Sequence, residues 1–269
     1  MSRFTLALVQ TDVVFGDPQA NLAEAEKWIA RVAAQGAEMA LLPELWATGY
    51  ALERAEQLAD PLGEGGFAAM ARWADKYGVA VGGSHLEKTP EGVYNTFALY
   101  GSDGSLWGAY RKIHLFGPMS ERLFLLPGDY VEVVQSPWGA VGLAVCYDLR
   151  FPEIFRLQAV SGVRLFLLVA EWPRRRIDHW HMLLRARAVE NQAFIAAVNR
   201  VGKDKRHLFG GESSVVGPDG KLLGRLGNRP DTLLLDINLS QANAVRQRFS
   251  PLHDCRPEAY RLRRERRYA

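Results

Sequence analysis

The stretch Val141-Gly142-Leu143-Ala144-Val145-Cys146-Tyr147-Asp148-Leu149-Arg150-Phe151-Pro152-Glu153 decides how this chain is read. Its first five residues form a small-residue, apolar strand. Phe151-Pro152-Glu153 then opens a helix, because proline is tolerated in a first turn. A strand that hands over to a helix is the unit from which α/β domains are built. Ligands in such domains bind at strand ends, and Cys146 stands at one. There it would feel the positive end of the following helix, which stabilises the thiolate, the form that attacks. A lone cysteine is also often an inert core residue, and this stretch alone leaves both readings open.

Working outward, short apolar runs alternate with helical patterns along the whole chain. Phe4 to Gln10, Ala37 to Leu42, Val79 to Leu86, Val93 to Tyr100 and Leu106 to Lys112 read as strands. Val131 to Val134, Ala140 to Val145, Leu165 to Ala170 and Phe194 to Val201 continue the series. Helices are expected from Pro18 to Gln35, Gly66 to Tyr77, Pro152 to Val160 and Ile177 to Glu190. Ser213 to Val216, Lys221 to Arg225 and Thr232 to Asp236 read as a late meander. Early crossovers followed by hairpins imply a mixed sheet. With no linker, repeat or low-complexity stretch, residues 1–269 are expected to form one α/β domain, with a C-terminal tail from about residue 245.

Composition excludes several classes. The chain has 269 residues, 48% hydrophobic and 23% charged, which is ordinary for a globular protein. With 33 basic and 30 acidic residues the net charge is +3, too weak to argue for a nucleic-acid partner. The basic run from Arg261 to Arg267 reads as a solvated terminal helix or tail. Two cysteines, Cys146 and Cys255, make no disulfide framework or zinc site. No segment reads as a secretory signal or a membrane span. The expectation is a cytoplasmic protein whose thiol stays reduced, with no metal and no cofactor.

Two further strand ends carry ionisable groups. Leu41-Leu42-Pro43-Glu44 ends an apolar run in a carboxylate, and Ala47-Thr48-Gly49-Tyr50 follows as a loop. Desolvation there would raise the pKa of Glu44 and suit it to act as a base; a capping role for the next segment is the alternative. Tyr110-Arg111-Lys112 closes another strand, and the apolar Ile113 and Leu115-Phe116 put Lys112 near a covered region. None of the six histidines is singled out as a partner for the thiol. A Glu–Lys–Cys set offers another chemistry, in which Glu44 takes the thiol proton and Lys112 supplies positive charge beside the developing anion.

Leu42-Pro43-Glu44, Tyr110-Arg111-Lys112-Ile113-His114-Leu115-Phe116 and Cys146-Tyr147-Asp148-Leu149-Arg150-Phe151-Pro152-Glu153 occur in the order and at separations that resemble the three catalytic motifs of the nitrilase superfamily of carbon–nitrogen hydrolases. The resemblance covers nearly the whole chain. It implies an αββα sandwich of mixed sheets, with Glu44 as general base, Lys112 as electrostatic stabiliser and Cys146 as nucleophile. It implies that Glu121 holds Lys112 and helps place the substrate nitrogen. The backbone N–H of Tyr147 would join Lys112 at the oxyanion. A homodimer paired through the helices beside the nucleophile is also implied.

Within the superfamily, Tyr147-Asp148-Leu149-Arg150 after the cysteine looks like the amidase-type branch, since true nitrilases usually carry Trp-Glu there. Ala170-Glu171-Trp172-Pro173, Arg176 and Leu184-Arg185-Ala186-Arg187 are similar to bacterial omega-amidases. The resemblance therefore implies hydrolysis of 2-oxoglutaramate or 2-oxosuccinamate to a 2-oxo acid and ammonia. Other readings are a deaminated glutathione amidase, an N-carbamoyl hydrolase, an acyltransferase using the thioester, and an inactive scaffold. An anionic substrate wants a fixed cation, and Arg150 can offer a fork to a carboxylate; a structural pair with Asp148 or Glu153 is its alternative. Trp172 and Tyr50 are further candidates for substrate contact. Glu171 would repel an anion unless paired, and Arg174 to Arg176 are its expected partners. Arg185, Arg187 and Glu190 are expected to form helix-face pairs.

Overall fold

The computed structural model describes residues 3–259. Strand β1 (Arg3–Gln10) shows how the layers arise. Leu6 and Leu8 point to one face and Ala7 and Val9 to the other, as the two-residue period of a strand requires, and all four are buried. Leu6 and Leu8 enter a core shared with the second sheet. Ala7 and Val9 enter a separate core with helices α1 (Pro18–Ala34) and α2 (Gly65–Tyr77).

The first sheet has the order β12-β1-β2-β3-β4-β5, with β2 at Met39–Leu41, β3 at Ala80–Thr89, β4 at Gly92–Tyr100, β5 at Leu106–Arg111 and β12 at Asp231–Asn238. β1, β2 and β3 run parallel and the other pairs antiparallel. The second sheet has the order β11-β10-β9-β8-β7-β6, with β6 at Val133–Ser136, β7 at Gly139–Val145, β8 at Leu165–Ala170, β9 at Phe194–Asn199, β10 at Ser214–Val216 and β11 at Leu222–Arg225. Its centre, β7-β8-β9, is parallel. Helices α3 (Pro152–Val160) and α4 (Ile177–Asn191) make the two crossovers and bring Phe155, Ala159, Trp180, Leu184 and Ala188 into the core. The result is a four-layer αββα sandwich of two mixed sheets.

Local chemistry fixes the element ends. Asp17 caps α1 by accepting from the Ala20 N–H at 3.1 Å, and Pro18 sits in its first turn. Gly78, at φ +63°, closes α2 in the left-handed conformation that glycine adopts without strain. The side chain of Gln158 on α3 lies over Gly142 of β7, where a Cβ would come within 2.4 Å of its Oε1. Gln158 Nε2 donates to the carbonyls of Leu143 and Glu132, at 2.9 and 3.0 Å, so it latches the helix to the sheet.

One topological expectation is corrected. Ser214–Val216 and Leu222–Arg225 do form a hairpin, but the next strand leaves them and pairs antiparallel with β1 in the other sheet. A local hairpin signal in sequence carries no information on which sheet receives the following strand. The expected start of the tail, about residue 245, falls inside helix α5 (Ser240–Arg248). Arg246 on that helix donates to the carbonyls of Val163 and Asn191, at 2.6 and 3.0 Å. The run from Arg261 to Arg267 lies outside the described residues. Among the described residues, no helix is long and apolar enough to cross a membrane.

Candidate active site

The site is assembled from strand ends. The backbone leaving β2 carries Glu44, that leaving β5 carries Lys112, and that leaving β7 carries Cys146. Glu171 follows β8 directly and Arg200 follows β9. Lys112, Glu44 and Glu121 are buried, and Lys112 Nζ lies 2.8 Å from Glu44 Oε1 and 2.6 Å from Glu121 Oε1. Glu44 Oε1 also accepts from Asn95 Nδ2 and faces the Tyr50 hydroxyl, both at 2.9 Å. Its other oxygen accepts the backbone N–H of Glu171 at 2.9 Å. The Cys146 thiol sits close enough to the Glu44 carboxylate for that charge to influence its ionisation. Glu121 is held in turn by the Phe116 N–H and the Tyr50 hydroxyl, each at 2.5 Å.

Three non-glycine residues with positive φ flank or form this set: Leu45 at +43°, Ser120 at +62° and Cys146 at +45°. Such conformations are unfavourable for residues with a Cβ and persist where surrounding contacts enforce them. At Cys146 the sharp turn ends the strand and projects the thiol from its tip. Tyr147 is the second residue of the short helical turn Cys146–Arg150, so its N–H has no acceptor within that turn. Asp148 stabilises the corner. It is fully buried and accepts from the Val145 N–H at 2.9 Å, the Tyr110 hydroxyl at 2.8 Å, and the backbone and ring nitrogens of His114 at 3.1 and 2.8 Å. His114 stacks on Phe151 with 3.6 Å between centroids.

The electrostatics correct one expectation. Burial, reinforced by the nearby Glu44 charge, holds the Cys146 thiol well above its ordinary value, and Lys112 offsets this only in part. Helix-end stabilisation therefore does not give a resting thiolate; desolvation dominates. For Lys112, burial alone would favour the neutral amine. The Glu121 and Glu44 carboxylates outweigh it and keep the ammonium protonated. Burial raises Glu121, against the pull of Lys112. Burial also pushes Glu171 up to about 8, although Arg200 draws it down. The arrangement has a carboxylate beside a neutral thiol, with a fixed cation near both.

A narrow pocket opens beside the thiol, and Cys146, Tyr147, Arg150, Glu171, Trp172 and Arg176 contribute to its wall. Arg150 lies over the Trp172 ring at 5.0 Å and contacts His179 Nδ1 at 3.2 Å; the alternative pairing with Asp148 or Glu153 is not formed. Glu171 pairs at 2.8 Å with Arg200, not with Arg174 to Arg176. Tyr50 is not in the wall of this pocket, and its hydroxyl is engaged with Glu44 and Glu121. Arg187 pairs with Glu190 at 2.9 Å, while Arg185 lines a separate cavity on the far side of α4.

Residues 5–247 match the family described as carbon-nitrogen hydrolase. The chain belongs to the carbon–nitrogen hydrolase family. It is 35% identical over 259 residues to a 2-oxoglutaramate amidase of Bacillus subtilis (strain 168), covering 96% of this chain and all of that one. Among solved structures it is similar to a CN-hydrolase superfamily protein of Xanthomonas campestris that carries an arsenic adduct in its active site. That match has a TM-score of 0.90 and 30% identity over 98% of this chain and 100% of the other. It is also similar to a mutant of the amidase from Nesterenkonia sp. AN1 that shows covalent addition of the acetamide moiety of fluoroacetamide at the active site cysteine. There the TM-score is 0.83, with 32% identity over 95% of this chain and 94% of the other.

This hydrolase has functional neighbours that sequence reading did not single out. Asn95 binds Glu44, Asp148 holds the Cys146 corner, and Arg200 pairs with Glu171. Asn199 accepts the Trp172 N–H at 2.6 Å and donates to the Gly211 carbonyl at 2.8 Å. Each is a fully buried polar residue within or just beyond an apolar strand run. That mismatch was the available signal, because buried polar groups need partners.

Proposed function

We propose that this carbon–nitrogen hydrolase cleaves the terminal amide of a small 2-oxo acid amide, 2-oxoglutaramate or 2-oxosuccinamate, to the 2-oxo acid and ammonia. The observation that carries the reading is Arg150, a fixed cation in the wall of the pocket that exposes Cys146. The name of the Bacillus subtilis relative supports the same substrate class.

In this reading Glu44 takes the thiol proton as Cys146 attacks the amide carbon. Lys112 and the Tyr147 N–H receive the oxyanion. Collapse of the tetrahedral intermediate breaks the carbon–nitrogen bond, and the proton held by Glu44 leaves with ammonia. Glu44 then takes a proton from water, hydroxide attacks the thioester, and the thiol is restored with that proton. Glu121 and Tyr50 position Lys112 and Glu44. Trp172 bounds the pocket and limits substrate length. A thiol used this way must stay reduced, which suits a compartment such as the cytoplasm.

The experiment is ammonia release from 2-oxoglutaramate and 2-oxosuccinamate, with Cys146→Ala alongside. Release by the wild type and none by the variant supports both substrate and nucleophile. Full activity in Cys146→Ala would sink the mechanism. Release from other small amides only would remove the 2-oxo acid assignment. The homodimer belongs to the same proposal. Leu157 and Val160 on α3 and Met182 and Val189 on α4 are exposed apolar side chains on the two helices next to the nucleophile.

A further inference from the structure

Arg176 was not among the residues expected to touch substrate, yet it lines the pocket beside Cys146 together with Arg150. Each guanidinium lies against an aromatic ring. Arg150 is over Trp172 at 5.0 Å, and Arg176 is over Phe116 at 5.2 Å. Neither has a carboxylate within ion-pairing distance among the described residues, whereas the two buried arginines do, Arg187 with Glu190 and Arg200 with Glu171. Arg176 Nη1 is buried and has no hydrogen-bond partner. A buried donor without a partner is unfavourable by the full desolvation of the group. Burial, together with the charges of Arg175 and Arg150, pushes the Arg176 guanidinium below its ordinary value, so the cations are close enough to oppose one another. Two mutually repelling cations, each set over a ring in one small pocket, are an arrangement that an anion completes.

We propose that Arg176 and Arg150 form a two-guanidinium clamp for the carboxylate of the substrate, with Arg176 a specificity-determining residue of the site. The clamp rests on the reading of Cys146 as an amidase nucleophile, but it does not depend on the 2-oxo group. Packing against a ring limits where each guanidinium can move, so less freedom is lost when its donors meet a carboxylate. Arg176 also connects the clamp to the reacting groups. The ring it covers belongs to Phe116, whose N–H is bound by Glu121, and Glu121 binds Lys112. The pocket selects amides with an anionic far end over neutral amides of similar length.

The test compares kcat/KM for succinamate, which is anionic and lacks the 2-oxo group, with that for neutral butyramide at fixed ionic strength. The wild type should prefer succinamate. Arg176→Gln should lower the succinamate-to-butyramide ratio by about tenfold or more, the effect of losing a charge-assisted contact. Arg176→Lys should fall between, because it keeps the charge and loses the fork. Exposed Arg175→Gln removes a charge of the same sign one residue away and should leave the ratio nearly unchanged. A second readout needs no turnover. In the Cys146→Ala background, Arg176→Gln should weaken binding of the 2-oxoglutarate dianion by a similar factor. An unchanged ratio and unchanged dianion binding in Arg176→Gln would overturn the clamp. An equal loss in Arg175→Gln would also overturn it, because it would assign the effect to the general field. Preference for succinamate with no release from either 2-oxo acid amide would leave the clamp standing and reject the proposed substrates.

Discussion

A single oxygen, Glu44 Oε1, meets Lys112, Asn95 and Tyr50, while its partner oxygen takes the Glu171 N–H. Glu44→Gln would turn an NH₂ group toward donors that need an acceptor. The expected outcome is loss of ammonia release by orders of magnitude, with a stability loss of about 1–3 kcal/mol in a denaturant titration. Glu171 makes a separate pH-dependent contribution. Its carboxyl is raised from 4.5 to about 8, chiefly by burial. Between those values the folded protein holds a proton that the unfolded chain has released, so stability falls as pH rises through that window. Glu171→Gln, which mimics the protonated acid, should flatten this slope between pH 5 and pH 8 in thermal melts (roughly the interval between the two pKa values). A slope equal to that of the wild type would refute the assignment. Glu44, Lys112 and Cys146 were legible in sequence because each ends an apolar run. Arg200 was not, because its partner Glu171 lies 29 positions away and only the parallel register of β8 and β9 brings them together.

At the level of elements, every parallel strand of the second sheet delivers a polar or reactive residue at its end, so a shift of one strand would displace the site. The contact between α3 and β7 is sensitive for this reason. Gly142→Ala would place a methyl group against Gln158 Oε1 and within 3.0 Å of the Phe166 ring. The helix must then tilt or Gln158 must give up its bonds to Leu143 and Glu132. A destabilisation of about 1–3 kcal/mol is expected from overpacking, read from the denaturation midpoint. Amidase activity should fall beyond what the unfolded fraction explains, because Cys146 follows the same strand. Strand and helix positions were legible from periodicity, and Pro152–Val160 and Leu165–Ala170 coincide with the structure at both ends. Helix α5 was not foreseen. Only Ala242 of its residues is buried, and a helix without an apolar stripe gives sequence reading little to find.

On the scale of the whole molecule, the exposed residues Leu157, Val160, Met182 and Val189 lie on helices that form the outer layer behind Cys146. If two copies pair there, Met182→Glu should shift sedimentation from dimer to monomer without unfolding the chain. A wild type that sediments as a monomer at micromolar concentration would remove the pairing. The two-sheet architecture was legible only through family resemblance, since nothing local shows that Asp231–Asn238 crosses back to the first sheet. That crossing governs how the molecule is made. β1 leaves the ribosome about 220 residues ahead of its partner β12. At cellular rates of synthesis this is a delay of roughly ten to forty seconds. Throughout it, one side of an eight-residue strand has no mate, the kind of open edge that invites pairing with other chains. Newborn copies therefore depend on shielding until β12 has emerged, and a stall anywhere before residue 238 leaves a chain unable to finish its first sheet.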